Sequence, residues 1–175
     1  MKDLVLKKVS IDYGDDIFLY KNEFIYNNES MDGTGFLRNT NSPLEYIEKS
    51  LLNETEEVDG RKVTATQLLA IRKSDNRIVG MIQIRHFLND YLLQYGGHIG
   101  YSVRKSERNK GYAKEELRQA LIYCKDILHI NRVLLTCDND NLASKKTILS
   151  QGGKKENEVF LKAENCVFER YWIDL

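Results

Sequence analysis

Six consecutive residues, Arg108-Asn109-Lys110-Gly111-Tyr112-Ala113, combine groups suited to holding a diphosphate. Gly111 lets the backbone come close to a ligand, Ala113 keeps a first helical turn uncluttered, and Arg108 and Lys110 add positive charge. The motif closes a basic polar run over residues 104–110 and opens into a helical pattern. The first N–H groups of a helix have no partners inside it, so such an end attracts anions. Taken alone, a short Gly-containing motif fits an ordinary solvated turn equally well. Two competing phosphate motifs are absent from the chain: there is no Gly-x-x-x-x-Gly-Lys-Ser/Thr and no Gly-x-Gly-x-x-Gly after a strand. Nucleotide hydrolase and dinucleotide dehydrogenase chemistry fail on that ground.

Other reactive side chains read more plainly. Cys137 ends an apolar segment, and nothing adjacent in sequence activates its thiol, so it reads as a packed strand cysteine rather than a nucleophile. Phe168, Tyr171 and Trp172 read first as core, with a lesser chance of lining a pocket.

The elements that must position these residues follow from periodicity. Residues 4–9 alternate loosely as a strand, and residues 12–28 carry Ile17, Phe18, Phe24 and Ile25 at helical spacing. A polar, Gly-containing stretch, residues 27–41, then separates that helix from a second and reads as a candidate mobile loop. Ser42-Pro43 caps the second helix, with Leu44, Ile47, Leu51 and Leu52 as its apolar stripe. Residues 65–72 and 77–87 flank Lys73-Ser74-Asp75-Asn76 as a β-hairpin, and residues 98–103 form a strand that leads into the basic run. From Gly111 a helix presents Leu117, Ala120, Leu121, Cys124 and Leu128 on one face, with Lys114, Arg118 and Lys125 outward. Residues 132–137, apolar on both faces, read as an interior strand. Asp138 to Asn141 cap a helix that Gly152-Gly153 stops, and two strands, residues 157–162 and 166–173, end the chain. The order β-α-α-β-β-β-α-β-α-β-β implies one mixed α/β sheet in a single domain spanning residues 1–175.

Read together, these features resemble the Gcn5-related N-acetyltransferase (GNAT) family, whose signature is Arg/Gln-x-x-Gly-x-Gly/Ala after a strand and at a helix start. Arg108 to Ala113 matches it, Ile99-Gly100-Tyr101-Ser102-Val103 is similar to the family's fourth strand, and Asn141-Leu142-Ala143-Ser144 to the start of its fourth helix. The resemblance covers roughly residues 65–153 by motif order. It implies an α/β (α+β) GNAT-like fold, a central mixed β-sheet with splayed fourth and fifth strands and about four flanking helices.

It also implies acetyl-CoA as the acyl donor, its pantetheine arm lying between the splayed strands against the backbone of Tyr101 and Val103. The diphosphate would rest on the amides of residues 109–113, with Asn141 and Ser144 approaching the arm from the other side. A neutral amine would attack the thioester directly while a backbone N–H polarises the carbonyl oxygen. His98 stands where many relatives carry a glutamate base, and its intrinsic pKa near 6.5 suits that work; a half-buried, satisfied strand histidine is the plain alternative. His86 is a weaker candidate, and His129 reads as a surface residue. The family's usual general acid is a tyrosine seven residues after the helix-leading asparagine, where this chain has Ile148, so the acid is unassigned. The same motif usually ends Gly-Phe, whereas here it ends Gly152-Gly153.

Composition sets the outer limits. The 175 residues carry 26 Lys+Arg and 26 Asp+Glu, with neither sign in a long block, which favours neither nucleic acid nor an anionic membrane as partner. Three cysteines without a Cys-x-x-Cys pair suggest no metal site and read as reduced, packed thiols of a cytoplasmic protein. Met1-Lys2-Asp3 is followed by no continuous apolar run, against a signal peptide. The expected reaction is acetylation of a primary amine of a small molecule, with specificity set by residues 28–41 and the C-terminal hairpin. A protein or peptide amine acceptor and a non-catalytic acyl-CoA-binding module stay open, as does a homodimer.

Overall fold

A computed structural model describes residues 3–60 and 63–175; Met1 and Lys2, where the reading of the N-terminus starts, lie outside them. Along the chain run β1 (Leu4–Lys8), α1 (Gly14–Tyr26), α2 (Pro43–Leu52), β2 (Ala65–Arg72), β3 (Arg77–Arg85), β4 (Ile99–Val103), α3 (Tyr112–Asp126), β5 (Arg132–Asp138), α4 (Leu142–Ser150), β6 (Lys154–Leu161) and β7 (Cys166–Asp174). This is the order that periodicity predicts. Short 3-10 turns at Ile11–Tyr13, Leu37–Asn39 and Lys105–Glu107 and a π-turn at Leu92–Gly96 fill the connections.

The α/β fold with splayed strands holds, and the splay divides the expected mixed sheet into two antiparallel ladders, β1-β2-β3-β4 and β5-β7-β6. They meet at one point: His98 N–H donates to Leu134 O at 2.7 Å, and Leu134 N–H donates to His98 Nδ1 at 2.9 Å. Past this seam β4 and β5 diverge. β5 is therefore the edge of its own ladder, not an interior strand. It reads as apolar on both faces because Val133 and Leu135 join the core under α3 and α4, while Leu134 lies beside His98 and Trp172 on the other side.

β2 and β3 are buried along nearly their whole length because helices cover both faces. Leu69, Ile71, Ile78 and Met81 pack with Ile17, Tyr20 and Phe24 of α1 and with Tyr46 and Ile47 of α2. Leu68, Ile82 and Ile84 pack instead with Leu117, Ala120 and Leu121 of α3 and with β5 and β7.

Two local expectations are corrected. Ser42 Oγ accepts Glu45 N–H at 3.1 Å and Pro43 opens α2 as the sequence indicates, yet the buried face is Tyr46, Ile47 and Ser50, and Leu44, Leu51 and Leu52 stay exposed. The tyrosine ring offers more area to bury than any leucine of the helix, and it sets the rotation. Residues 28–41 are not a free loop. Met31, Thr34, Phe36, Leu37 and Thr40 are buried, and Gly33, at φ 70°, presses so closely on β4 that any side chain there would overlap Gly100 O. Among the described residues no helix is long and apolar enough to cross a membrane.

Candidate active site

The connection from β4 to α3 is built on backbone conformation. Asn109 at φ 62° and Gly111 at φ 85° are both left-handed, a region that asparagine and glycine enter most readily. Gly111 is the N-cap of α3 and has no side chain to satisfy its first turn. The N–H groups of Tyr112, Ala113 and Lys114 thus point out of the helix end without intrahelical acceptors, and Glu115 N–H is the first to close, on Gly111 O at 3.2 Å.

The side-chain charge of the motif is disposed differently from the sequence reading. Arg108 Nε donates to Val103 O at 3.0 Å and its guanidinium forks onto Glu29, whose carboxyl it holds below the usual range. Lys110 Nζ donates to Ser106 O at 3.1 Å and to the buried Glu107 at 2.9 Å. Both cations are neutralised inside the chain, which leaves the backbone amides at the start of α3 as the groups without partners among the described residues. Tyr112 is buried with Leu4, Ala70, Val79 and Val103, anchoring the first turn of α3 to the sheet.

α1 clamps the same loop, a role the sequence reading missed. Arg104, nearly fully buried over the Tyr20 ring, pairs with Asp16 at 3.1 Å and Glu23 at 3.6 Å. Glu23 also accepts Ser106 N–H at 2.9 Å, and Lys105 Nζ donates to Asn27 at 2.8 Å. The i, i+7 spacing of Asp16 and Glu23 was the available signal.

Across the gap, Tyr101 reaches from β4 to the first turn of α4, with its hydroxyl 2.9 Å from Ser144 Oγ. Asn141 caps α4 by accepting Ser144 N–H at 3.0 Å, so its side chain serves the helix rather than the gap. Cys137 lies beside Ser144, and burial pushes its thiol up to about 11, as expected of a packed and unactivated cysteine. Cys124 is buried too, whereas Cys166 is partly exposed. Ile148 is fully buried, and its side chain fills the space that a residue larger than Gly153 would need.

His98 does different work from that expected. Its Nδ1 accepts the Leu134 amide, so Nε2 carries the ring proton and neither nitrogen has a free lone pair. Burial, with the Arg85 charge as a second cause, lowers its pKa to about 4. The ring is a neutral clasp between the ladders. Both ring nitrogens of His86 are engaged, by Thr64 at 3.0 Å and Thr66 at 2.8 Å, and His129 is exposed as anticipated.

On the opposite side of β4, Tyr20 donates to Ser102 O at 2.9 Å, Ser102 Oγ donates to Asp32 O, and Gln67 Nε2 donates to Gly33 O at 2.9 Å. The turn Leu92–Gly96 covers the second ladder, where Thr136 Oγ1 donates to Tyr95 O at 2.7 Å and Arg170 Nε to Leu93 O at 3.1 Å. Phe168 meets Tyr95 edge-on, Trp172 lies under Arg132, and Tyr171 is core with its hydroxyl on Glu169.

A family profile described as "Acetyltransferase (GNAT) domain" matches residues 4–154. Several solved structures share the fold. Microcin C7 self-immunity acetyltransferase MccE, in complex with acetyl-CoA and AMP, is similar at TM-score 0.74 and 19% identity over 100% of this chain and 94% of that one. An acetyltransferase from Salmonella typhimurium that modifies the N-terminal serine of ribosomal protein L7/L12 matches at TM-score 0.70 and 15% identity, covering 100% and 96%. A dodecameric spermidine N-acetyltransferase from Vibrio cholerae matches at TM-score 0.66 and 16% identity, covering 99% and 95%. No curated protein matches the sequence significantly.

Proposed function

The chain belongs to the GNAT acetyltransferase family and is an acetyl-CoA-dependent N-acetyltransferase; from that premise we propose that it acetylates the primary amine of a small molecule in the cytoplasm, working as a single domain over residues 1–175. In this reading the cofactor's diphosphate rests on the amides of residues 109–113, its arm runs beside Tyr101 and Val103, and Asn141 and Ser144 border the arm through the start of α4. The observation that carries the cofactor site is the pair of left-handed residues, Asn109 and Gly111, that turns consecutive amides outward at an uncapped helix end. Arg108 and Lys110 act as positioning residues, since Glu29 and Glu107 already bind them.

A small acceptor is favoured by the tightness of its side of β4, where Gly33 sits on Gly100. Acetyl-CoA supplies an activated thioester. The chain's part is to hold its carbonyl against a β4 amide, which stabilises the charge that develops on oxygen. His98 takes no proton in this scheme, so the amine enters in its neutral form.

Substitution of Gly111 by Glu tests the cofactor site, because it sets bulk and negative charge beside the diphosphate at a strained φ. Calorimetry should show acetyl-CoA affinity weakened by about tenfold or more, roughly 1.4 kcal/mol; unchanged affinity overturns the assignment. Thiol release measured with small amines and with peptides decides the acceptor class, and turnover on peptides alone overturns the small-molecule reading.

A further inference from the structure

The general acid is the gap in this site: Ile148 holds the position that carries the family's tyrosine, fully buried among Leu117, Ala120 and Leu121. Five other buried tyrosine hydroxyls are committed away from the space between β4 and α4. Tyr13 lies between Lys7 and Asn76, Tyr20 donates to Ser102 O on the far side of the sheet, Tyr46 faces Met81 Sδ, Tyr112 meets Arg72 and Tyr171 meets Glu169. Tyr101 alone of these six rings sends its hydroxyl into that space, 2.9 Å from Ser144 Oγ and 3.5 Å from Ser144 O. Ser144 in turn adjoins Cys137 on β5, so two hydroxyls and a thiol converge where the ladders part.

We propose that the phenol of Tyr101, coupled to the Ser144 hydroxyl, protonates the departing thiolate of CoA, acting from the strand wall where α4 offers only Ile148. The proposal rests on the cofactor placement given above. Cys137 shows how this environment treats a sulfur anion: burial first, and then the nearby Glu169 charge, raises its thiol to about 11. A thiolate released in the same gap is disfavoured in the same way and draws a proton from the nearest donor. Burial also keeps the Tyr101 phenol protonated, and the N-terminus of α4, capped by Asn141, adds a favourable dipole while sulfur carries charge. The step balances. As the amine nitrogen bonds to the carbonyl carbon, the C–S bond breaks and its electron pair goes to sulfur. Sulfur takes the Tyr101 proton directly or through Ser144, and the phenolate recovers a proton from water, which receives the one the amine loses.

The test uses the full-length protein with an amine shown to support thiol release. Tyr101→Phe should lower kcat about tenfold or more at an unchanged KM for acetyl-CoA. Replacing Tyr101 by a fluorinated tyrosine, which keeps a donating and more acidic phenol, should retain kcat within a few fold of the parent where Phe does not. Unchanged kcat in the Phe variant, a change confined to KM, or a fluorinated variant as slow as the Phe variant each overturns the proposal. These outcomes leave the cofactor site standing, since its own failure would be read in the Gly111 calorimetry.

Discussion

Glu116 lies on α3 without exposed surface, and among the described residues neither of its carboxylate oxygens has a hydrogen-bond partner. It fits because Gly80 of β3 has no side chain to collide with it. Burial without a cation pushes its pKa well above the carboxylate range, so the folded protein holds it neutral. The folded pKa is thus raised above the unfolded one. Its contribution is fully present below about pH 4.3 and falls as pH rises from there, by up to about 1.4 kcal/mol per pH unit until the folded pKa is reached. Glu116→Gln is expected to be more stable than the parent at pH 8 and close to it at pH 4. Denaturant titrations at the two pH values check this, and an equal difference at both would disprove the buried acid. At this scale the sequence disclosed residue types but not their neighbours. The packed character of Cys137 and the departure at Ile148 could be read by inspection and counting. The tautomer of His98 could not, because it is set by an amide 36 positions away. Likewise the charges of Arg108 and Lys110 were visible, whereas the carboxylates that neutralise them were not.

Among elements, the dependence of the β4–α3 connection on α1 has the clearest consequence. Arg104 opens the loop, is nearly fully buried, and ties β4 to Asp16 and Glu23. Removing one member of a buried ion pair leaves the others uncompensated, at a cost of about 3–5 kcal/mol. Arg104→Leu should therefore lower unfolding stability by an amount at or somewhat below that range, because both carboxylates are partly exposed. It should also weaken acetyl-CoA binding through loss of the loop's shape. Chemical denaturation and calorimetry measure the two effects, and a variant of parental stability would show that α1 does not clamp the loop. Element type and order followed from periodicity, Pro43, and the Gly and Asn stops. The rotation of α2 did not, since Tyr46 and the leucines are all apolar and only the facing sheet selects between them. The packing of residues 28–41 was hidden for a related reason: Gly33 and Thr34 look like loop residues until β4 is placed beneath them.

Taken whole, the molecule is two antiparallel ladders clasped at His98 and Leu134, with α3 and α4 both starting beside the space between them. A ligand seated there touches both ladders at once. Acetyl-CoA is accordingly expected to slow hydrogen exchange together at β4, at residues 109–113 and in the first turn of α4, and protection confined to one ladder would rule out a seat between them. The amino-acid sequence by itself determined the element order, the GNAT resemblance and the Gly-containing turn that opens α3. Each depends on spacing along the chain and on local conformational preference, as with Gly111 at a left-handed helix start. Tertiary structure alone decided that His98 is a clasp, that Glu29 and Glu107 take the charges of Arg108 and Lys110, and that Tyr101 meets Ser144. Those outcomes depend on which distant groups share a buried space, where an unpaired donor or charge is costly, and one-dimensional spacing does not encode that proximity.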